Sequence, residues 1–453
     1  MKLTKTLVLC AFALGSAART HAAASAEEVA QLGTTLTPWG AEVAGNKDGS
    51  IPPYTGGLTK PPACYKPGSN IMCDPFADEK PIATIDAKSL DPYGAKIPEG
   101  AKFMLKRWAD YKISVYPTHR TAAFPKMFGD NAIKNATRAK LVNDGQGVEG
   151  AYGGPPFPLP KSGLEVVWNH ELSYRPYSYE ADTLVGIVDA SGRYSMIHGN
   201  EGYYETPYYN PERSSLPDGV TTQKLIVRFT RPPREAGEQS MIFYSLNYVK
   251  QDMLAWSYTQ GQRRVRLAPE FKYDTPVASY SGLYIYDEAY GYSGNPDRYD
   301  WKLVGKKEML VPYNNYRFIS GFSEDNDTNA AIAGPQHIKP EAERWELHRV
   351  WQVEATLKAG KRHIYTKRVM YFDEDSWVLL WAEGYDANGG LYRVVFDAPF
   401  QLFDVPVFDA ANQYEYDFVK GAYLLQSQVM RPRAQPRPPS YMTAENMGAA
   451  GIR

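Results

Sequence analysis

Between Trp345 and Phe400 the chain repeats one device: about ten residues of mixed apolar and polar character, then a short turn. WELHRVWQVEATL sets Trp345, Leu347, Trp351, Val353, Ala355 and Leu357 on one face, with Arg349 the one exception. AGK then leads into RHIYTKRVMYF, DEDS into WVLLWAEGYD, and ANGG into LYRVVFDA. Successive side chains of a strand point to opposite faces, so four such runs joined by tight turns predict an antiparallel meander. Strands this long exceed the usual five or six residues, and a long sheet twists and curls around whatever fills it. The same period recurs earlier. QKLIVRFT places Leu225, Val227 and Phe229 on one face and Lys224, Ile226 and Arg228 on the other, and SMIFYSLNYV, DMLAWSYT, RRVRLAP and the aromatic run GLYIYDEAYGY read as further strands. The 34 Tyr and nine Trp suit such a surface, because aromatic rings fit a half-buried pleat.

Helical spacing is confined to short stretches. Ile97 to Tyr111 aligns Phe103, Leu105, Trp108 and Tyr111 on one side, a second helix is expected from about Asp130 to Val142 with Asp130 as its cap, and a third near Gly163 to Leu172. Residues 25–100 are rich in breakers and predict an extended, loop-rich arm packing on the domain. Residues 101–430 then form a single α+β, mainly β, domain, and the Pro-rich tail 431–453 is expected to be disordered.

The first 24 residues have the parts of a signal peptide: Lys2 and Lys5, an apolar stretch from Thr6 to Ala18, and small residues around Ala22 and Ala24. This predicts export, most simply to the periplasm of a Gram-negative bacterium. Removal of Lys2, Lys5 and Arg19 takes the formal charge from -1 to -4. No basic excess remains to neutralise phosphates, which argues against nucleic acid as a partner. In an oxidising compartment Cys64 and Cys73, either side of a Pro-Gly turn in CYKPGSNIMC, are expected to pair as a disulfide.

Sequence signatures of catalysis are absent: no G-x-S-x-G elbow, no H-E-x-x-H, no phosphate-binding or dinucleotide-binding Gly-rich loop. Neither a catalytic residue, nor a cofactor, nor a metal site is expected. His119, His170, His198, His337, His348 and His363 are scattered singly, although His348 and His363 lie on strands expected to pair and could face each other. Asp373-Glu374-Asp375 reads as a solvated turn, and the oxygen-rich Ser323 to Asn329 lacks the Gly and terminal Glu of a calcium loop. Arg264 and Arg266 share a strand face, read as protection against edge pairing or, more sharply, as a docking patch. What remains is a surplus of large apolar side chains. Phe243, Trp256, Trp345, Trp351, Met370, Phe372, Trp377 and Trp381 would line a hydrophobic trough if one sheet face carried them all. Burial of such rings contributes roughly 25 cal/mol per Å², so helices or a ligand must cover them.

LGTTLTPWGAEVAGNKDGSIPPYTGGL, DPFADEKPIATIDA, VYPTHRTAAFP, WSYTQGQRRVRLAP and KRVMYFDEDSWVLLWAEGYDANGGLYR together resemble the proteobacterial family of unknown function labelled outer-membrane lipoprotein-sorting protein. The resemblance covers nearly all of the chain after the signal segment. It implies a fold similar to the lipoprotein carriers LolA and LolB: an incomplete antiparallel half-barrel whose helices plug the concave face, with an apolar cavity between. It also implies an exported protein, associated with the outer membrane or free in the periplasm, that accompanies an RND- or MMPL-type inner-membrane exporter and an outer-membrane protein. The leading expectation is therefore a periplasmic binding protein or shuttle for a lipid or other hydrophobic molecule. Two alternatives stay open: a non-catalytic structural subunit of an exporter complex, and an envelope lipid or glycan hydrolase or lyase. Convergence of two or more of His170, His198, His348 and His363 with an acid in one cleft would mark the last.

Overall fold

The structure, a computed structural model, describes residues 24–67, 72–320, 322, 326–403 and 405–450. Apart from Ala24, the expected signal segment lies outside the described residues. One fifteen-stranded sheet is the frame. From one edge, its strands run Ala83–Ile85, Ile113–Val115, Trp345–Leu357, Lys367–Asp373, Leu379–Tyr385, Leu391–Asp397, Gln413–Asp417, Ala422–Pro432, Ser178–Val188, Tyr194–Glu205, Thr221–Arg231, Gln239–Ser245, Leu254–Thr259 and Arg264–Leu267, with Tyr299–Pro312 also pairing to Trp345–Leu357. Pairing is antiparallel except where Trp345 meets Val115. The end strands do not pair with one another, so the sheet stays open rather than closing into a barrel. The meander expected from Trp345 to Asp397 is present in that order, but its first turn is longer than AGK: the strand resumes only at Lys367.

Directly opposed residues share a face, so the register assigns sides. Val353, Met370, Ala382, Val395, Glu415, Leu424 and Ile187 face one way. Val369, Glu383, Val394, Tyr416 and Tyr423 face the other. Helices cover both sides. Gly163–Glu171 packs on the first face, where a Cβ on Gly163 would lie 3.0 Å from Val353. Glu99–Arg107 packs on the second, its Gly100 N–H donating to Glu383 at 2.6 Å. This third expected helix and the first fall where the sequence places them, and Ser162 caps Gly163–Glu171 by accepting from Glu165 N–H. The middle helix runs Lys126–Arg138, starting a turn earlier than Asp130, directly after Pro125. Pro125 itself is extended, with φ of -65° and ψ of 151°, and the helix begins at the residue after it.

Residues before 100 wrap the sheet with few elements of their own, yet they supply core. Trp39 is nearly buried, its indole N–H donates to the Asp375 carbonyl at 2.7 Å, and its own carbonyl accepts from the Trp377 indole at 3.0 Å. Phe124 and Phe128 pack around its ring. Cys64 and Cys73 form the expected disulfide. The tail departs from expectation. Met442 and Met447 are buried with Tyr203, Ile226, Met241 and Tyr258, and Arg437 pairs with Glu180 at 2.5 Å. Two methionines and a salt bridge give this segment the anchors that its Pro-rich composition conceals. Among the described residues no helix is long and apolar enough to cross a membrane.

Trp39 joins the arm to the turn after Asp373, so Trp39→Ala is expected to destabilise the fold by about 3–5 kcal/mol, as for other buried aromatic truncations. Urea denaturation checks this. A loss below about 1 kcal/mol would show that the arm contributes little to the core.

Candidate functional site

On the first sheet face, away from the meander, the side chains that the alternation of QKLIVRFT sets together become a floor. Leu225, Val227 and Phe229 lie beside Ile242 and Tyr244 of the next strand, and Thr183, His198, Asn200, Tyr204, Gln426 and Gln428 continue the floor across the neighbouring strands. The roof is the stretch from Val277 to Tyr290, which brings Tyr280, Tyr284, Tyr286 and Tyr290 over that floor. Between them is a cavity of about 160 Å³. The run GLYIYDEAYGY, which alternates like a strand, is instead this roof, folded into a 3-10 turn from Tyr286 to Gly291.

The roof is pinned by charge. Asp287 accepts from Arg368 at 2.7 Å and contacts His363 Nε2 at 2.9 Å. Glu288 accepts from Arg393 at 3.3 Å and from the Tyr365 hydroxyl. Arg393 also donates to the Gly282 and Leu283 carbonyls, at 2.9 and 3.1 Å, and to Asp417 at 3.1 Å. Arg368 and Arg393 stand two residues from Met370 and Val395, hence on the same face as the cavity floor. All four charged groups are buried. Burial pushes the Asp287 carboxyl up, but the charges of Arg368 and His363 prevail and hold it below the usual range.

Seven polar side chains besides the tyrosines enter the cavity wall, among them His198, Asn200, Gln426 and Gln428. Burial drives the His198 imidazole down to about 4, so it is neutral at neutral pH. Its Nε2 lies 3.1 Å from Asn200 Nδ2, and Phe229 meets its ring edge-on at 4.1 Å. Among the described residues His198 Nδ1 and Asn200 Oδ1 have no hydrogen-bond partner. A hollow that combines aromatic and aliphatic walls with convergent polar groups, two of them unsatisfied among the described residues, has the form of a small-molecule site.

Beyond Tyr290 lies a second, smaller hollow of about 20 Å³, whose wall shares Tyr290 and Ala411 with the first. Arg175 sits here, 4.0 Å from the Tyr290 ring centre. Asp397 and Asp409 line the same hollow, and both Asp397 oxygens and Asp409 Oδ2 are unpartnered among the described residues. Burial pushes Asp397 well above the carboxylate range and Asp409 up to about 6, with Arg175 opposing both shifts.

The histidines do not converge. His170 receives the Leu379 N–H on Nδ1 at 3.0 Å and donates from Nε2 to the Tyr292 carbonyl at 3.1 Å, and burial pulls it down to about 3, as befits a neutral structural residue. His348 lies within the strand Trp345–Leu357 near its start and His363 lies past its end: His348 stacks on Tyr313 at 3.6 Å and contacts Glu346 at 3.1 Å, while His363 contacts Asp287.

The eight expected trough residues separate into three clusters. Trp351, Met370, Phe372 and Trp377 pack under the helices Lys126–Arg138 and Gly163–Glu171. Trp345 and Trp381 pack together on the side of Glu99–Arg107, their ring centres 5.3 Å apart. Phe243 and Trp256 lie beneath the C-terminal segment, on the face opposite the cavity floor. An irregularity between Tyr371 and Phe372 is one cause: Phe372 opposes Leu379 while Tyr371 opposes Trp381, so Leu379 and Trp381, two residues apart, face opposite ways. A one-residue slip moves side chains to the other face. None of the eight lines the cavity. Arg264 and Arg266 are exposed on the edge strand, and Arg266 bonds Ser257 at 3.1 Å and Glu270 at 3.4 Å.

The acidic turn is not solvated. Asp373, Glu374 and Asp375 are buried. Arg120 donates to both Asp375 oxygens at 2.5 and 2.8 Å, Lys306 pairs with Glu374, and Tyr313 and Ser376 donate to Asp373 at 3.0 and 2.5 Å. His348, Asp373 and Asp375 are the one group among the described residues spaced to hold a metal ion. Arg120 already occupies the Asp375 carboxylate, so the donor set fits an ion-pair network better than a cation. Sequence signals for the true cavity existed in the alternation of Leu225, Val227 and Phe229. The period-two run that forms the roof points to a strand and not to a loop over the floor.

Compared with known proteins, residues 84–447 match a family model described as "Protein of unknown function (DUF1329)". An uncharacterized protein of Pseudomonas aeruginosa is 42% identical over 431 residues, covering 94% of this chain and 92% of the relative. Among solved structures, a DUF1329 family protein from Desulfovibrio piger matches with TM-score 0.43 at 15% identity, over 63% of this chain and 97% of its own. A putative outer membrane lipoprotein-sorting protein domain from Vibrio parahaemolyticus gives 0.43 at 13%, over 64% and 98%. A LolA superfamily protein from Nitrosomonas europaea gives 0.36 at 12%, over 63% and 98%.

Two outcomes follow from these geometries. Arg368→Met leaves Asp287 buried without its arginine and is expected to cost about 3–5 kcal/mol, whereas adding Asp287→Leu recovers a large share; denaturant titration of both variants reads this. Asp409 keeps a proton in the folded state that the unfolded chain releases near pH 4. Its contribution to stability is therefore lost as pH rises from about 4 through 6. Asp409→Asn should gain on the wild type over that window, by at most about 3 kcal/mol, and a pH-independent difference would contradict the assignment.

Proposed function

The chain belongs to the family described as protein of unknown function DUF1329, and on that footing we propose that it is a non-enzymatic periplasmic binding protein. It holds a small, largely apolar molecule between the tyrosine roof and the sheet. The single observation that carries this reading is the roofed cavity of about 160 Å³ with two unsatisfied polar side chains in its wall. Cavities of roughly 150 Å³ accept a benzene-sized guest, so the hollow takes a ring or short chain segment at a time. Tyrosine faces favour ring contacts while their hydroxyls tolerate polar substituents. No covalent step is needed, because withdrawal of each methylene from water contributes about 0.8 kcal/mol. The Cys64–Cys73 disulfide agrees with an oxidising compartment. Hand-over to an RND- or MMPL-type exporter and an outer-membrane partner is the corresponding cellular role, read from the sequence resemblance.

Filling the hollow tests the reading. N-phenyl-1-naphthylamine, an apolar fluorophore, is expected to brighten on binding, and Val227→Trp to weaken that binding about tenfold or more, near 1.4 kcal/mol. Met241→Ala, on the opposite face, should leave it unchanged. Equal weakening by both, or by neither, would place the guest elsewhere.

A further inference from the structure

Arg175 presents a charge for which the fold supplies no acceptor. Its guanidinium stacks on Tyr290, and among the described residues none accepts a hydrogen bond from it or pairs with it. An arginine carries five N–H donors and stays charged, and the half-buried guanidinium of Arg175 offers those donors to whatever enters the hollow. The small hollow beside it also carries oxygens of Asp397 and Asp409 that have no partner among the described residues. Its volume, about 20 Å³, admits one water or the tip of a small planar group. The ring of Tyr290 and Ala411 separate this hollow from the main cavity. Tyr290 has φ of 56°, a left-handed conformation unusual for a residue other than glycine, and among the described residues its hydroxyl is held by one 3.4 Å contact, from Gln223.

Resting on the cavity reading above, we propose that the guest is an amphiphile with a carboxylate head: its apolar body lies under the tyrosine roof, and its head passes Tyr290 to meet Arg175. Arginine's planar fork matches a carboxylate with two parallel hydrogen bonds. The other ionisable groups around the hollow do not oppose this. His170 and Glu171 are neutral near pH 7, the first pulled down to about 3 and the second pushed up to about 8 by burial. Burial pushes Asp397 well above the carboxylate range, which favours the protonated form that can donate to the head. Asp409 is the one acid whose charge competes. A phosphate head is too large for the hollow, and an amine head would meet Arg175 charge to charge.

Isothermal titration of the full-length exported chain with phenylbutyrate, phenylbutanol and phenylbutylamine at neutral pH tests this. The acid is expected to bind about tenfold or more tightly than the alcohol, with the amine weakest. Arg175→Gln should bring the acid-to-alcohol ratio near one, and Arg175→Lys should restore part of it. Equal binding of acid and alcohol, tightest binding of the amine, or a ratio that survives Arg175→Gln would overturn the carboxylate head while leaving the cavity reading intact. Absence of binding by all three together with a dark N-phenyl-1-naphthylamine signal would overturn both. The ratio in the wild type decides by itself if the variants fail to fold.

Discussion

Two adjacent acids, Asp287 and Glu288, hold a loop to a sheet through Arg368 and Arg393, and the shape of the cavity follows from that clamp. Apolar contact is non-directional and would let tyrosines collapse onto the floor. Ion pairs at fixed positions on two neighbouring β segments instead set where the loop sits. Arg393 extends the hold by donating to the Gly282 and Leu283 carbonyls. The roof is thus tied at its charged turn, while its tyrosines on either side span open space. Buried charges are expensive alone and are retained where each has its partners; here Tyr365, His363 and Asp417 complete the set.

The same logic runs through the other end of the sheet. Arg120, Lys306, Arg344 and Arg349 engage the acids Asp375, Glu374, Glu346 and Glu42. That network ties the N-terminal arm to the turn after Asp373, and Trp39 closes it with two backbone hydrogen bonds. A mainly β chain with both sheet faces covered needs such ties, because most of its elements are loops rather than helices. The Cys64–Cys73 bridge fastens the arm near Tyr65 and Met72, which pack with Tyr316 and Phe403.

Much of the frame was legible in the sequence. Period two marked the strands from Trp345 to Asp397 and set Leu225, Val227 and Phe229 together, as the floor of the cavity confirms. The family resemblance agrees with the match over residues 84–447. Other features were hidden for physical reasons. Coverage of both faces makes both alternations apolar, so Trp345, Trp377 and Trp381 could not be sorted by side, and the irregularity after Tyr371 inverted the count. The acids 373–375 looked like a solvent turn and 287–288 like part of a strand, because their partners, such as Arg120 and Arg393, lie more than a hundred residues away. Arg175 carried no local signal at all: its importance lies in what does not reach it.

Hydrogen–deuterium exchange of the backbone between Leu283 and Ser293 tests the clamp most directly. Ile285 N–H donates to the Glu288 side chain, Gly291 N–H to Gln413, and Ser293 N–H to the Asp287 carbonyl. A roof fixed by buried ion pairs predicts protection of these amides comparable to that of the strands Leu391–Asp397 and Ala422–Pro432. Exchange at the rate of an exposed loop would mean that the roof is not held, and that the cavity has no defined upper wall.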